Sequence, residues 1–218
     1  MYYYVSDYEE EEQETIEKKE LVDARIVVSV ETGMLNLSNC GIKMLPNLPS
    51  CLQDLDISEN PLCSLPALPK SLIKLNCSDC NLRSLPSLPE GLLYLLCDGN
   101  KLEQLPELPP NLVVLHCEQN RLTQLPLLPK SLRNLETYHN PWKPPYSECI
   151  GSISAIRRMQ EVLEAKRLAK RLYVLQKAFE RTILSDDCIH QIAKHLTNVQ
   201  GSIRVVIQNA KRIVKNNE

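Results

Sequence analysis

A phrase of 20 residues that repeats without insertion or deletion is the feature that most constrains this fold. It runs from Leu52 to Trp142, and one copy, Leu65 to Leu82, has the sequence LPALPKSLIKLNCSDCNL. A truncated first copy begins at Leu35. Two leucine columns recur in every full copy: Leu52, Leu72, Leu92, Leu112 and Leu132, and Leu55, Leu75, Leu95, Leu115 and Leu135. Such a period predicts stacked structural units that share one apolar column, so the chain cannot fold around a single globular core.

Each copy contains one segment that predicts a short parallel strand, because apolar and polar side chains alternate across it. The predicted strands are residues 34–37, 54–57, 74–77, 94–97, 114–117 and 134–137. Two prolines three residues apart, such as Pro66 and Pro69, then disfavour a helix and favour an extended return path. One column of residues follows the strands, and its side chains are expected to hydrogen-bond to backbone groups of the turns. We call this column the structural ladder; it consists of Asn60, Cys80, Asn100, Asn120 and Asn140.

The pattern LxxLxLxxNxL spelled by these columns resembles the leucine-rich repeat family. The phrase LPxLPxxL and the 20-residue length resemble the short Pro-rich subtype of bacterial effector proteins. The resemblance covers about half of the chain. It implies an α/β solenoid, a horseshoe with short parallel strands, an extended convex side and a C-terminal helical cap. It also implies a protein of the cytoplasm, the host cytoplasm if the source is a pathogen or virus.

Three segments are predicted. Residues 1–24 form an acidic, flexible N-terminal arm, with a helix near Thr15 to Asp23, and the tyrosines Tyr2 to Tyr4 beside acids are also typical of a docking peptide. Residues 25–145 form the repeat domain with an N-terminal cap, in which Ile26 to Val30, being β-branched, is expected to form a strand that pairs in a hairpin with Met34 to Leu37. Residues 146–218 form a C-terminal helical region.

The C-terminal region predicts an amphipathic helix from Ser154 to about Ile183, a second helix after Ser185 and a third after Gly201. The segment NPxxPP around Trp142 resembles the C-terminal cap of many intracellular leucine-rich repeat proteins, in which a large aromatic side chain seals the core. The polar face of the first helix carries eight basic residues: Arg157, Arg158, Lys166, Arg167, Lys170, Arg171, Lys177 and Arg181.

Two alternative functions follow from this region. The segment Ile183 to Leu196, ILSDDCIHQIAKHL, resembles the opening of an F-box, which implies a substrate adaptor of a ubiquitin ligase, although Ser185 replaces the expected proline. Alternatively, the basic helix indicates a membrane- or nucleic-acid-associated protein. Against nucleic acid, no aromatic residues interleave the basic ones as base stacking requires, and a solvated helix face explains the same charges.

The charge is uneven along the chain. Residues 1–150 hold 12 Lys and Arg against 21 Asp and Glu, a net charge of −9, whereas residues 151–218 hold 13 against 6, a net charge of +7. The acidic part disfavours a nucleic-acid surface on the repeats. The sequence contains no run of 18 apolar residues, so a membrane-spanning helix is not predicted. The N-terminus lacks the basic start and the apolar stretch of a secretory signal.

The nine cysteines indicate a reducing compartment, because their number is odd and no export signal is present. Cys77, Cys97 and Cys117 share one inward repeat column and are predicted to pack as small apolar side chains. Cys77 and Cys80 form a CxxC pair, but no second pair completes a zinc site. We therefore predict no metal and no cofactor.

The outward strand positions form the predicted concave face and carry the candidate partner-binding residues: Asp54, Asp56, Lys74, Asn76, Tyr94, Leu96, Val114, His116, Asn134, Glu136 and Tyr138. Tyr94, Leu96 and Val114 are apolar at positions that face water, and they lie in adjacent repeats. An exposed contiguous apolar patch is typical of a partner site, although terminal segments folded back over it would also explain it.

No catalytic constellation is found in the sequence. It contains no Gly-rich phosphate loop, no HExxH and no GxSxG motif. Some effectors of this subtype carry a C-terminal ubiquitin-ligase domain with a nucleophilic cysteine, but Cys188 follows two acidic residues, which disfavour a reactive thiolate. We therefore predict a non-enzymatic protein-interaction module with a protein partner and no small-molecule substrate.

Overall fold

A computed structural model describes the backbone of residues 5–181, and the side chains of residues 19–171 and of Val174. Its elements are α1 (Val5–Thr32), β1 (Met34–Asn36), β2 (Asp54–Asp56), β3 (Lys74–Asn76), β4 (Tyr94–Leu96), β5 (Val114–His116), β6 (Asn134–Glu136), a 3-10 helix (Tyr146–Glu148) and α2 (Ile153–Arg181). The chain divides into two compact units between Ile153 and Ser154. The domain boundaries predicted at residues 24 and 145 stay predictions.

The six strands form one parallel sheet in the order of the sequence, β1 to β6. Each residue pairs with the residue 20 positions later, as Leu55 pairs with Leu75, so the register follows the sequence period. The strands begin where they are predicted to begin and are three residues long, one residue shorter than predicted. No helix is found on the return path between the strands, where the prolines recur.

The interior is a continuous column of apolar side chains. The leucines at the middle strand position are fully buried in β2 to β5, and so are Ile57, Cys77, Cys97 and Cys117 in the next inward column. Burial raises the pKa of the Cys77 thiol, and the nearby Cys80 and Asp98 raise it further. These cysteines are therefore neutral packing groups near pH 7.

The ladder asparagines hold successive repeats together through buried hydrogen bonds. The Asn100 side-chain amide donates to the carbonyl of Cys77 in the preceding repeat at 2.8 Å and to those of Cys97 and Asp98 in its own. Its Oδ1 accepts from the backbone N–H of Leu82 at 3.0 Å. One side chain thus bonds to four backbone groups. The carbonyl groups of Cys97 and Asp98 also accept a second hydrogen bond, from the Asn120 side chain and from the Asp79 N–H. The Asn100 side chain is therefore most important for the Cys77 carbonyl and the Leu82 N–H.

Cys80 occupies the same column with a weaker set of bonds. Its Sγ lies 3.3 Å from the carbonyl oxygen of Ile57 and 3.5 Å from that of Ser78. A thiol has one weak donor and cannot replace an amide that both donates and accepts. If residue 80 were asparagine, its side-chain oxygen would accept a hydrogen bond from the Leu62 N–H. That N–H donates instead to the Asn60 carbonyl at 2.7 Å.

The predicted strand Ile26 to Val30 is wrong, because these residues form the last turns of α1. No proline or glycine interrupts Val5–Thr32, and valine and isoleucine cost a helix only a few tenths of a kcal/mol each. The helix ends at Thr32 and is followed by Gly33, whose φ of +70° favours glycine and whose N–H donates to the Ser29 carbonyl. Residues 5–24, predicted as a flexible arm, form the first part of the same helix.

A helix rather than a hairpin therefore lies against the first strand. The Arg25 guanidinium donates to the Asn36 carbonyl at 3.0 Å and contacts the Cys40 Sγ at 3.3 Å. Ser29 is fully buried in this contact region, and its hydroxyl donates to the Ile26 carbonyl at 2.7 Å. Val27 and its neighbour Val28 remain exposed.

Two aromatic side chains close the other end of the repeats. The Trp142 Nε1 donates to the Thr137 carbonyl at 3.0 Å, and its ring lies 6.4 Å from that of Tyr146. Tyr146 is buried, and its hydroxyl donates to the Leu125 carbonyl at 2.8 Å. The helix α2 then follows over nearly the range predicted for it, whereas the predicted second and third helices and the F-box-like segment lie outside the described residues.

Candidate functional site

The structure brings the three predicted apolar residues of the concave face together. Tyr94 pairs with Val114 across β4 and β5, and Leu96 of β4 pairs with His116. Tyr94 is 39% exposed, and Leu96 and Val114 are half-buried. Adjacent strands are about 4.8 Å apart, so these side chains form one continuous surface.

A further apolar column lies beside them and was missed by the sequence analysis. Ile73, Leu93 and Val113 each precede a strand, and the N–H of Leu93 donates to the Ile73 carbonyl as that of Val113 does to Leu93, both at 2.8 Å. Ile73 is 37% exposed, and the other two are half-buried. The signal was available, since both positions between the leucines of LxxL lie outside the core.

We call the combined surface the apolar patch. It consists of Ile73, Leu93, Tyr94, Leu96, Val113 and Val114. At the same position as Ile73, the flanking repeats carry the polar residues Gln53 and Arg133, so the apolar character is confined to three repeats in the middle of the array. A surface of this kind, apolar within a polar rim, is typical of a protein-binding site.

The N-terminal side of the concave face is polar and largely engaged in its own bonds. The Lys74 Nζ lies 3.4 Å from the Asp54 carboxylate. The Asp56 carboxylate accepts from the backbone N–H of Ser58 at 3.0 Å and from its hydroxyl at 2.7 Å. The Asn76 side-chain oxygen accepts from the next serine in the same way at 3.2 Å. These predicted site residues form a rim on the first repeats.

Three carboxyl groups gather on the C-terminal side of the patch. We call Asp98, Glu118 and Glu136 the carboxylate cluster; they belong to three adjacent repeats. Asp98 accepts from the Glu118 backbone N–H at 2.8 Å. Burial raises the pKa of the Asp98 carboxyl, while that hydrogen bond and the charge of His116 oppose the rise.

The pKa of Glu118 is raised as well. The main cause is a hydrogen bond with the Glu136 side chain, followed by partial burial and by the charges of Glu136 and Asp98. Among the side chains that the structure describes, lysine and arginine form ion pairs at Lys74–Asp54 and Arg167–Glu164, so none pairs with this cluster. The cluster is therefore a concentration of acidic groups with no lysine or arginine partner among the described side chains, and the nearby imidazoles of His116 and His139 oppose the pKa rise of Asp98 and Glu118 respectively.

The remaining predicted residues lie on β5 and β6 or, for Tyr138, just after β6. The Asn134 amide nitrogen is 3.1 Å from His116 Nε2, which in turn lies 4.0 Å from a Glu136 carboxylate oxygen. Tyr138 is 59% exposed at the C-terminal edge of the face. The ladder residues Asn60, Cys80, Asn100 and Asn120 are buried behind the face and do not line it.

No grouping of three or more His, Cys, Asp or Glu side chains in the described part of the chain is arranged to hold a metal ion. Cys77 and Cys80 are both buried, and the Cys80 thiol bonds to backbone carbonyl groups. Neither described helix is long and apolar enough to cross a membrane.

No family model and no curated protein matches this chain. Among solved structures, YopM from Yersinia enterocolitica is 38% identical over 57% of this chain with a TM-score of 0.55, and YopM from Yersinia pestis is 36% identical over 57% with a TM-score of 0.56. A Shigella effector leucine-rich repeat domain is 26% identical over 67% of this chain with a TM-score of 0.55.

The chain spans only 29% and 36% of the two Yersinia proteins, but 84% of the Shigella domain. The Shigella structure is an effector leucine-rich repeat domain, and the Yersinia pestis protein is a leucine-rich effector protein. The chain is thus a leucine-rich repeat solenoid followed by a C-terminal helix, with effector-like repeats.

Proposed function

We propose that this chain is a non-catalytic protein-interaction module whose concave face binds a protein partner through the apolar patch. The observation that carries the proposal is the patch itself: six apolar side chains outside the core, in three adjacent repeats. Effector leucine-rich repeat domains as structural neighbours support protein binding in general. The same neighbours make a host protein in the cytoplasm the partner that we expect.

The mechanism is rigid display. The fully buried leucines fix the backbone of every strand, so the outward side chains are held in place before a partner arrives. Binding then costs little additional ordering of the chain. Tyr94, at the middle of the patch, supplies a large ring with few rotatable bonds, and the charged residues around it exclude competing partners.

The test is a double substitution, Tyr94→Ala with Val114→Asp, which removes the ring and places a charge in the patch. Crosslinked pull-downs from eukaryotic lysate, followed by titration of the captured protein, measure the effect. We expect at least a ~100-fold loss of affinity, since two central contacts of about 1.4 kcal/mol each correspond to that factor. Circular dichroism checks that the variant is folded.

A matched control alters exposed apolar residues elsewhere. Leu127, 62% exposed, lies on the return path between β5 and β6, and Met44, 83% exposed, lies in the first repeat. The variant Leu127→Asp with Met44→Ala should retain the partner. A folded Tyr94→Ala, Val114→Asp variant that binds as tightly as the original chain would refute the proposed site.

A second candidate function rests on α2. Leu168 and Val174 are exposed, at 42% and 56%, beside the basic residues Arg167, Lys170 and Arg171, an arrangement that suits an anionic membrane surface. It predicts binding to phosphatidylserine vesicles that weakens with salt and is lost on neutralising Lys166 to Arg171. Vesicle co-sedimentation tests it, and binding unchanged by those substitutions would exclude it.

The ubiquitin-ligase adaptor function depends on Leu184 and Ile192, which lie outside the described residues. It predicts an adaptor of the Skp type that is captured by the full chain and lost on substituting both residues. A chain ending at Pro145 that captures the same adaptor would exclude it.

A further inference from the structure

We propose that the partner segment joins an apolar anchor to arginine or lysine residues. The inference rests on the proposed concave-face function and adds the chemistry of the bound segment. It stands on the position of the apolar patch relative to the carboxylate cluster, because the two overlap in the repeats of β4 and β5.

The two surfaces adjoin one another on the concave face. Tyr94 and Leu96 are the first and last residues of β4, and Asp98 follows the end of the same strand. From Tyr94 to Asp98 is four residues, or ~13 Å at about 3.3 Å per residue. Leu96, His116 and Glu136 are paired in register across β4, β5 and β6, so Glu136 lies two strands, or roughly 10 Å, from Leu96. One extended segment can therefore contact the patch and the cluster together.

Charge complementarity selects the second half of the segment. Asp98, Glu118 and Glu136 crowd together without a lysine or arginine among the described side chains to compensate them. The imidazole of His116 lies beside the cluster, with its Nε2 4.0 Å from a Glu136 carboxylate oxygen. An arriving guanidinium relieves the repulsion and pairs with two carboxylates at once, whereas an acidic segment is repelled.

The chemistry also sets the spacing within the partner. An extended chain covers about 13 Å in four residues, so the basic group is expected about four residues from the apolar anchor. A nucleic acid or an anionic lipid does not fit this surface, since both would bring negative charge to the cluster.

The experiment uses the full chain and fluorescein-labelled synthetic peptides of 12 residues. Each peptide carries a Leu-Phe anchor and an Arg pair separated by zero to six residues, and matched peptides replace the Arg pair with Glu or with neutral citrulline. Fluorescence anisotropy gives the affinity at low and high salt. We expect the Arg peptides with spacings near four to bind at least ~10-fold more tightly than the Glu peptides, and the difference to shrink with salt.

Matched variants identify the groups responsible. Glu118→Gln with Glu136→Gln should lower the affinity for the Arg peptides ~5-fold or more and leave citrulline peptides unchanged. The control, Glu103→Gln with Glu107→Gln, removes the same charge from exposed positions outside the strands and should change neither.

The outcomes separate this inference from the proposed function. If Arg and Glu peptides bind alike but lose binding in the Tyr94→Ala, Val114→Asp variant, the charge inference falls and the apolar site stands. If Arg peptides bind regardless of that variant, or of their spacing, the inference that an apolar anchor is joined to the basic residues is wrong. Absence of binding by every peptide also overturns the inference, whereas the lysate experiment still tests the patch.

Discussion

The inward and outward sides of the same strands differ in almost every respect. Inward positions are nearly identical in each repeat, as leucine at the middle position of β2 to β6 shows, and in β2 to β5 this residue is fully buried. Outward positions change from repeat to repeat, from Asp54 through Lys74 and Tyr94 to Asn134, and remain at least partly exposed. A sheet thus separates two tasks by side-chain direction alone.

The difference shows which side carries which information. An inward side chain only has to be apolar and of the right volume, so one residue type recurs, and the repeated contacts between these side chains fix the strand register. The outward side chains do not pack in the core, so their residue types are free to vary. Predictions that change one side and spare the other test whether this separation holds.

The largest effect is expected from Leu95→Ala, which empties a fully buried position in β4. Loss of transfer free energy together with the cavity should lower the free energy of unfolding by ~2–5 kcal/mol. Leu96→Ala, one residue later but half-buried, should cost about 1 kcal/mol. Urea denaturation of both variants measures the contrast, and equal losses would show that the two sides are not separate.

Asn100→Ala should rank next, because it strips four hydrogen bonds from buried backbone groups. We expect a loss of about 2–3 kcal/mol, the penalty for removing the amide partner of the Cys77 carbonyl and the Leu82 N–H, since the Cys97 and Asp98 carbonyls each keep a second hydrogen bond. The outward Asn134→Ala removes only an exposed contact with His116 and should stay within about 0.5 kcal/mol. Thermal and urea unfolding report both values, and an Asn100→Ala variant as stable as Asn134→Ala would contradict the ladder's role.

Cys80→Asn is expected to stabilise the chain. Asparagine would add an oxygen that accepts from the Leu62 N–H and an amide that donates twice, where the thiol donates weakly. The gain should be about 1 kcal/mol, the usual net value of one good hydrogen bond. Cys80→Ala serves as the control and should not stabilise. A less stable Asn variant would mean that the turn here cannot accommodate the amide.

The smallest effect concerns pH and the outward carboxylates. Because the pKa of Glu118 is raised in the folded state, its proton is held more tightly there than in the unfolded chain. Its contribution to stability is therefore present at acidic pH and lost as pH rises through that pKa. Glutamine does not ionise, so Glu118→Gln removes this loss of stability. Near pH 7 the variant should be more stable than the original chain by a few tenths of a kcal/mol, because solvent screens the charges. Near pH 4 the two should be equally stable.

Urea unfolding at several pH values measures this difference, with Glu103→Gln as the matched control of equal charge change. A Glu118→Gln gain that is already complete at pH 4 would point to a cause other than proton binding.

The repeats could be predicted from sequence because every copy restates the same inward constraint, so strand positions and register follow from the period. The end of the array carries no such repetition. There Ile26 to Val30 was assigned by local β preference, while an uninterrupted 28-residue segment favoured α1. The turn geometry could not be predicted either, since Glu59 and Gln119 adopt positive φ angles at positions where no glycine indicates one.

The candidate site was predictable in part for the same reason. Alternation along a strand identifies Tyr94, Leu96 and Val114, but Ile73 precedes its strand and follows a core leucine, so alternation assigns it wrongly. The crowding of Asp98 with Glu118 and Glu136 depends on which columns stand side by side in space. That proximity follows from the sheet and not from separations of about 20 residues along the chain.

The inward cysteines can report how fast each repeat of this solenoid opens. Cys77, Cys97 and Cys117 stand in three consecutive repeats, fully buried, with thiol pKa values raised by burial. Each thiol can be alkylated only when its own repeat opens to water. In a variant that lacks the exposed Cys51 and Cys63, the alkylation rate of each peptide therefore measures the opening rate of its repeat. An array that unzips from one end would label these thiols in order, and one that opens as a unit would label them together.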